Sequence, residues 1–168
     1  MAPRGHAVAG MLLTGTFLGL FMPSQALAMS EARMRIVAIE VTYRHLATWS
    51  SRPLVQGRMP VDYGDTVTSF GRVYSRDALS EERLATGRRW PVRSYTLRPG
   101  TLRVSCNVPA FKCAVRSTVD YRLSDPVRHV SERGSARFDL GVGFSGPQPS
   151  ILYEDGGLGT VGRSAAGP

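Results

Sequence analysis

The chain has 168 residues, with 21 Lys or Arg, 13 Asp or Glu and a formal net charge of +8. This length suits one ordinary domain with its own hydrophobic core, which excludes a large multidomain protein. The basic residues, almost all of them arginine, are spread along the chain rather than clustered, so we do not expect a nucleic-acid-binding protein.

The first 28 residues have the organisation of a secretory signal peptide. Arg4 supplies the amino-terminal positive charge, residues 7–22 are uncharged and mostly apolar, and Ala26-Leu27-Ala28 has the small residues of a cleavage site. The apolar stretch is shorter than the roughly 20 residues of a typical membrane span, although an uncleaved amino-terminal anchor is the alternative. We therefore expect a periplasmic or secreted protein.

Cleavage after Ala28 would remove one fixed charge, Arg4, and lower the net charge from +8 to +7. The mature chain is expected to consist of one domain over residues 29–156, followed by a flexible tail over residues 157–168 that is rich in Gly, Ser and Ala.

The predicted elements begin with a helix, a connection, a strand and a second helix. Residues 30–51 contain no Gly or Pro and carry only a narrow polar stripe, which predicts a helix buried on most of its circumference. Residues 66–74 are rich in β-branched and aromatic side chains and predict a strand. Ser75 is a suitable cap for a helix over residues 76–89.

The remainder of the chain predicts a run of strands joined by turns. A loop opened by Ser124-Asp125-Pro126 is expected to extend to Gly134. The strands are expected over residues 92–98, 101–106, 113–123, 135–144 and 150–155.

Cys106 and Cys113 flank a six-residue loop and predict a β-hairpin joined across its turn by a disulfide. If the two cysteines face each other, Arg103 lies opposite Arg116. Alternation then gives a sheet with one apolar and one charged face, as antiparallel sheets commonly have. The alternative, two free thiols for redox chemistry or a metal, is less favoured because the spacing is not CxxC and two cysteines make half a zinc site.

The charged face carries Arg103, Arg116 and Arg122, with Asp120 and Asp139 as local counter-charges. The simplest interpretation is a solvated ladder of charges. The functional interpretation is a site for an anionic polymer or for an envelope protein, whose binding would weaken with salt.

Four motifs support a family resemblance. They are Val73-Tyr74-Ser75-Arg76-Asp77 before the second helix, Arg89-Trp90-Pro91-Val92-Arg93-Ser94-Tyr95 after it, Thr118-Val119-Asp120-Tyr121, and Ile151-Leu152-Tyr153-Glu154-Asp155-Gly156. With the element order, they resemble uncharacterised exported bacterial members of the nuclear transport factor 2-like superfamily. The resemblance implies an α+β fold in which a curved antiparallel sheet wraps around amino-terminal helices as a cone-shaped barrel. It also implies a conical pocket and the option of a homodimer formed through the sheet.

His45 is the best candidate for chemistry, because it lies among apolar positions of the first helix, where a neutral imidazole could act as a general base beside the Tyr121 hydroxyl. A histidine on an apolar helix face is more often a core residue, and an aromatic stripe is more often plain core. The predicted pocket residues are Tyr43, His45, Trp49, Tyr74, Ser117 and Tyr121.

The resemblance includes enzymes, such as ketosteroid isomerase and the polyketide cyclases, that hold a carboxylate base inside the cone. Our face assignment places Asp120 and Asp139 outside, and we find no metal-ligand spacing or cofactor motif. The leading hypothesis is an exported non-catalytic module that binds a small apolar ligand or an envelope partner. The alternative is a small isomerase, lyase or hydrolase that uses His45 and Tyr121.

Overall fold

The computed structural model of the protein describes residues 29–50 and 62–159. The predicted signal peptide, most of the connection expected after the first helix and residues 160–168 of the predicted tail lie outside the described residues. Within the described ranges, neither helix is long and apolar enough to cross a membrane.

The described residues form two α-helices and seven strands. Helix α1 spans Glu31–Ser50 and helix α2 spans Arg76–Arg89. The Ser75 hydroxyl accepts a hydrogen bond from the Ala78 amide, so Ser75 is the predicted cap of α2. The strands are β1 Tyr63–Ser69, β2 Arg72–Ser75, β3 Val92–Leu97, β4 Arg103–Asn107, β5 Lys112–Asp125, β6 Val130–Gly143 and β7 Ser150–Gly156.

All seven strands belong to one curved, mixed sheet with the order β2-β1-β7-β6-β5-β3, in which β4 also pairs with β5. The long strand β5 pairs with β6 along one edge and with β3 and then β4 along the other. The β1–β7 pairing is parallel and the other pairings are antiparallel. The predicted α+β class is therefore confirmed, with one parallel pairing added to the expected antiparallel sheet.

The β4–β5 hairpin has the predicted register. Arg103 lies opposite Arg116, Cys106 lies opposite Cys113, and the two cysteines form a disulfide. The chain contains only these two cysteines, so the pairing uses both of them. The alternative of two free thiols is therefore wrong for this structure.

Replacing both cysteines with alanine is expected to lower the free energy of unfolding by about 2.5 kcal/mol, because the disulfide closes a short loop and restricts the unfolded chain. The two residues are seven positions apart. Urea unfolding of the wild type, with and without reductant, checks the value. The reduced wild type should match the double variant, and equal midpoints for the oxidised and reduced wild type would contradict the prediction.

The predicted alternation of faces is present along β5. Val115, Ser117 and Val119 are buried, whereas Arg116 and Arg122 are exposed. The apolar face packs against the helices, and the core continues past the last strand to the short 3-10 turn Gly157–Gly159. The core includes Met34, Val41, Leu79, Val115, Phe138, Leu140, Ile151 and Leu158.

The loop predicted over residues 124–134 is wrong, because β6 already begins at Val130. Asp125 closes a short turn instead: its Oδ1 accepts hydrogen bonds from the Val127 and Arg128 amides at 2.9 and 3.1 Å. This Asx turn lets β5 and β6 pair as far as Asp125 and Val130.

Helix α1 is less buried than predicted. Its buried residues recur every three or four positions, and the opposite side carries Ile36 and Tyr43, which are 49% and 56% exposed. The sheet covers only one side of the helix, so apolar character on the other side does not lead to burial. The buried residues are Met34, Ala38, Val41, Thr42, His45, Leu46 and Trp49.

Candidate functional site

A cluster of polar and charged side chains lies between the helices and the sheet. We call it the buried charge cluster. No member is more than 7% exposed, and Glu154 is completely buried. Its members are His45 from α1, Tyr63 and Ser69 from β1, Arg83 from α2 and Glu154 from β7.

The Arg83 guanidinium connects most of the buried charge cluster. Its Nη2 donates to Glu154 Oε2 at 2.7 Å and to Ser69 Oγ at 2.8 Å, and its Nε lies 3.4 Å from the Tyr63 hydroxyl. The guanidinium carbon also lies 4.5 Å from the centre of the Trp49 ring, a cation–π distance. Arg83 therefore holds a helix, two strands and an aromatic side chain in one arrangement.

Glu154 is the only carboxylate of this cluster. Burial alone would raise the pKa of Glu154, but the charge of Arg83 and the nearby His45 together hold that pKa at about 2. Glu154 is therefore ionised at neutral pH. Burial and the Glu154 charge raise the pKa of Tyr63, so its hydroxyl stays protonated.

Arg83 is charged for a related reason. Burial acts to lower the pKa of Arg83, but the charge of Glu154, followed by Tyr63 and Glu82, raises it above the usual arginine value. Arg83 Nη1 also donates to Glu82 Oε2 at 2.7 Å, at the edge of the cluster. The buried positive and negative charges therefore compensate each other, as buried charges must.

His45 lies beside this ion pair and completes the cluster. Its Nε2 is 3.3 Å from Glu154 Oε1, but the approach lacks the alignment of a hydrogen bond, and neither atom has another hydrogen-bond partner among the described residues. The Trp49 indole nitrogen is likewise without a partner there. The imidazole packs among aromatic rings, with centroids 4.9 Å from Trp49, 5.5 Å from Tyr63 and 6.2 Å from Phe138.

The predicted pocket residues are only partly brought together. His45 and Trp49 lie at the buried charge cluster, and Ser117 is buried in the sheet, 3.5 Å from the Phe138 carbonyl oxygen. Tyr74 is partly buried against the core. Tyr43, by contrast, lies on the exposed side of α1, so its assignment to the pocket is corrected.

Tyr121 does not pair with His45 in the described contacts. Its hydroxyl donates to Glu132 Oε1 at 3.2 Å, and its ring lies against Gly134 of the neighbouring strand. The polar group beside His45 is Glu154. The predicted pairing of His45 with Tyr121 is therefore replaced in the structure by a pairing of His45 with Glu154.

Sequence reasoning did not place Glu154 inside the cone, because a bulge changes the direction of the side chains along β7. Gly141 pairs with Tyr153 but the next residue, Val142, pairs with Ile151, so Leu152 is an extra residue in β7. Strict alternation from the buried Ile151 would turn Glu154 outward; the bulge turns it inward. The position of Arg83 could have been found from the sequence, because Arg83 lies four residues after Leu79 and so shares the buried face of α2 with it.

The two carboxylates of the central strands lie on the outer face, as predicted. Asp120 accepts hydrogen bonds from Arg98 at 2.6 Å and from Ser135 at 2.5 Å, and these bonds lower the pKa of Asp120. Asp139 lies 3.1 Å from Arg137. In the part of the chain that the structure describes, no group of three His, Cys, Asp or Glu residues could hold a metal ion.

The outer face is not charged throughout. Across β4 to β7, Ser105, Ala114, Gly141 and Tyr153 form one row of mainly small residues. These residues line a surface cavity of about 440 Å³, and the Tyr153 ring occupies the space above Gly141. The predicted charged face is therefore interrupted by a less polar strip near the disulfide.

No protein-family model matches the chain, and no curated protein is significantly similar to it in sequence. Solved structures are similar in fold. A nuclear transport factor 2-like superfamily protein from Salmonella enterica has a TM-score of 0.62 and 9% identity, with 76% of this chain and 92% of that chain covered.

Two further structures extend the comparison. A candidate calcium/calmodulin dependent protein kinase II association domain from Xanthomonas campestris has a TM-score of 0.54 and 14% identity, covering 76% of this chain and 86% of that one. A candidate scytalone dehydratase from Novosphingobium aromaticivorans has a TM-score of 0.53 and 10% identity, covering 74% and 86%. The two helices and the curved seven-stranded sheet of this chain therefore form a nuclear transport factor 2-like fold.

Proposed function

We propose that this protein is an exported, non-catalytic module that binds an anionic component of the cell envelope through the outer face of its sheet. The observation that carries the proposal is a contrast in charge compensation. The charges inside the cone neutralise each other, whereas arginines on the outer face exceed the carboxylates available to pair with them.

The buried charge cluster is a poor place for carboxylate catalysis. A general base works best when its pKa lies near the operating pH, and the pKa of Glu154 is about 2. Glu154 also has Arg83 as a fixed partner at 2.7 Å. The members of the buried charge cluster are at most 7% exposed, which makes this cluster a less favourable ligand site than the outer face.

The outer face offers several guanidinium groups to solvent. The carboxylates of its central strands, Asp120 and Asp139, are already paired with Arg98 and Arg137. Arginine binds planar and tetrahedral anions through its fixed fork of N–H donors. The outward-facing arginines of β4, β5 and β6 are Arg103, Arg116, Arg122, Arg133 and Arg137.

The fold alone does not decide between binding and catalysis. Its neighbours include a protein named for an association domain and a protein named for a dehydratase. A fold of this kind hosts many functions, so the function depends on the particular side chains of this chain.

Co-sedimentation with lipid vesicles tests the proposal. The protein, expressed from its full-length sequence, should sediment with vesicles that contain phosphatidylglycerol and not with pure phosphatidylcholine vesicles, and salt should weaken the binding. Replacing Arg103, Arg116 and Arg122 with glutamine should reduce binding.

A charge-matched control separates a surface site from net charge. Arg33, Arg72 and Arg88 are also exposed but lie on α1, β2 and α2. Their replacement with glutamine removes the same charge and should leave most of the binding. Equal loss in both triple variants, or no binding to anionic vesicles, would contradict the proposal.

The second candidate function is catalysis by His45. It is favoured by His45 Nε2 and Glu154 Oε1, which lie 3.3 Å apart and have no hydrogen-bond partner among the residues that the structure describes. A carboxylate beside an imidazole can orient it as a general base. A folded His45→Gln variant should bind anionic vesicles like the wild type if the protein is a binding module. Turnover of ester or enolisable ketone substrates that disappears in this variant would instead establish an enzyme.

A further inference from the structure

Two arginines on the outer face lie side by side, and no described carboxylate forms an ion pair with either of them. Arg122 of β5 is directly opposite Arg133 of β6, and Ser94 of β3 is directly opposite Arg122 on its other side. All three residues are exposed. Directly opposite residues have Cβ atoms about 4.5–5.5 Å apart, so the two long guanidinium side chains can reach the same point above the sheet.

Other arginines of this face have partners that Arg122 and Arg133 lack. Arg98 pairs with Asp120 and Arg137 pairs with Asp139. Among the described residues, no carboxylate forms an ion pair with Arg122 or Arg133. Like charges placed directly opposite each other destabilise a sheet, so this arrangement costs stability unless an anion lies between them.

The second opposed pair of this face, Arg103 and Arg116, is different. Arg103 Nη1 donates to the carbonyl oxygens of Gly100 and Leu102, both at 2.9 Å. Arg116 lies directly opposite Asp139, although the ion pair that Asp139 forms is with Arg137. Among the described residues, the Arg122–Arg133 pair therefore lacks contacts of the kind that Arg103 and Arg116 have, and it is the stronger candidate for binding an anion.

A polar surface cavity of about 660 Å³ lies over the uncompensated pair. Ser94, Thr96 and Ser135 add hydroxyl groups beside Arg122 and Arg133. Asp120 also lines this cavity, but it already forms an ion pair with Arg98 and accepts a hydrogen bond from Ser135. The lining therefore combines two arginines that have no ion-pair partner in the described part of the chain, several hydroxyl groups and one carboxylate that is already paired.

We infer that Arg122 and Arg133 form a binding site for one phosphate monoester group, with Ser94 and Thr96 as additional hydrogen-bond donors. The inference rests on the proposed function and specifies the chemical group that the outer face recognises. A phosphate monoester carries a charge of about −1.5 to −2 at pH 7, which matches two guanidinium groups better than the single charge of a carboxylate. Its three terminal oxygens can also accept hydrogen bonds from both guanidinium forks.

Titration with inorganic phosphate, followed by NMR at the arginine Nε–Hε resonances, tests the site directly. We expect saturable shifts at Arg122 and Arg133. An R122Q/R133Q double variant should bind phosphate at least about tenfold more weakly, because charge-assisted hydrogen bonds are lost. A charge-matched R33Q/R88Q variant, with both changes on the helices, should retain affinity within about twofold. Equal weakening in both variants, or shifts that do not saturate, would overturn the inference.

Vesicles containing phosphatidic acid, a phosphate monoester, distinguish a lipid source from free phosphate. Binding of phosphatidic acid vesicles that depends on Arg122 and Arg133 identifies a lipid headgroup, and a response to inorganic phosphate alone identifies a soluble ligand. Phosphate binding at this pair without binding to any vesicle supports the site and contradicts the proposed function. If the R122Q/R133Q variant binds vesicles as well as the wild type does, the proposed function is supported and the Arg122–Arg133 site is contradicted.

The double variant also has a stability readout. Removing two opposed like charges should leave the urea midpoint unchanged or slightly higher, because repulsion is relieved. Weaker phosphate binding in a protein of undiminished stability therefore reports the site rather than a folding defect.

Discussion

Replacing Arg83 with methionine is expected to lower the free energy of unfolding by about 3–5 kcal/mol, because it leaves the ionised Glu154 buried without its counter-charge. Glu154 is completely buried and its Oε2 lies 2.7 Å from Arg83 Nη2. Urea unfolding measures the change. An R83M/E154L double variant should be less destabilised than R83M alone, because it removes both buried charges together.

An exposed ion pair provides the control for this prediction. Arg35 lies 2.8 Å from Glu31, nearly the same distance, but both side chains are about half exposed. R35M should therefore cost less than about 1 kcal/mol. Equal losses in R83M and R35M would show that burial does not give the Arg83–Glu154 pair its importance.

Acid is expected to destabilise the protein by about 3 kcal/mol between pH 4.5 and pH 2 through Glu154 alone. Its pKa is lowered from 4.5 to about 2 in the folded state. A group with a lowered folded-state pKa stabilises the fold fully above its unfolded pKa. That stabilisation is lost as the pH falls towards the folded pKa.

Urea midpoints measured at several pH values between 7 and 2 check this expectation. Asp120 and Asp125 also have lowered pKa values, through hydrogen bonds from Arg98 and Arg128 respectively, and they add loss of the same sign. R83M/E154L retains both of these aspartates and should show a shallower decline than the wild type. Parallel pH profiles for the two proteins would assign the acid sensitivity to groups other than Glu154.

The hairpin and its faces were predictable because two strong local rules apply there. A disulfide across a short turn fixes which residues face each other, and side-chain alternation then assigns every position of β5 to a face. Cys106, Cys113, Arg103 and Arg116 accordingly lie where the sequence predicts. The outward direction of Asp120 and Asp139 follows from the same rules.

The inside of the cone was harder to predict because it depends on departures from those rules. Glu154 turns inward only because one extra residue in β7, Leu152, interrupts the alternation. The Arg83–Glu154 contact joins residues 71 positions apart, and no local pattern pairs them. A helix-face pattern could find Arg83 but not its partner.

The predictions for the burial of α1 and for the start of β6 were wrong for other physical reasons. Apolar residues all around α1 do not reveal which side the sheet covers, and Tyr43 was therefore misplaced. Ser124-Asp125-Pro126 was interpreted as the start of a long loop, although the Asp125 side chain can close a turn within a few residues. Both errors arise where tertiary contacts or a side-chain hydrogen bond outweigh local composition.

The pairing of Arg83 with Glu154 also constrains the order in which the chain assembles. Glu154 belongs to β7, the last strand, whereas Arg83 belongs to α2, which lies much earlier in the sequence. Until β7 joins the sheet, desolvating Arg83 would leave it only Glu82, at the edge of the cluster, as a counter-charge. Docking of α2 should therefore wait for the carboxyl-terminal strand, so that the interior closes as one of the last steps of folding.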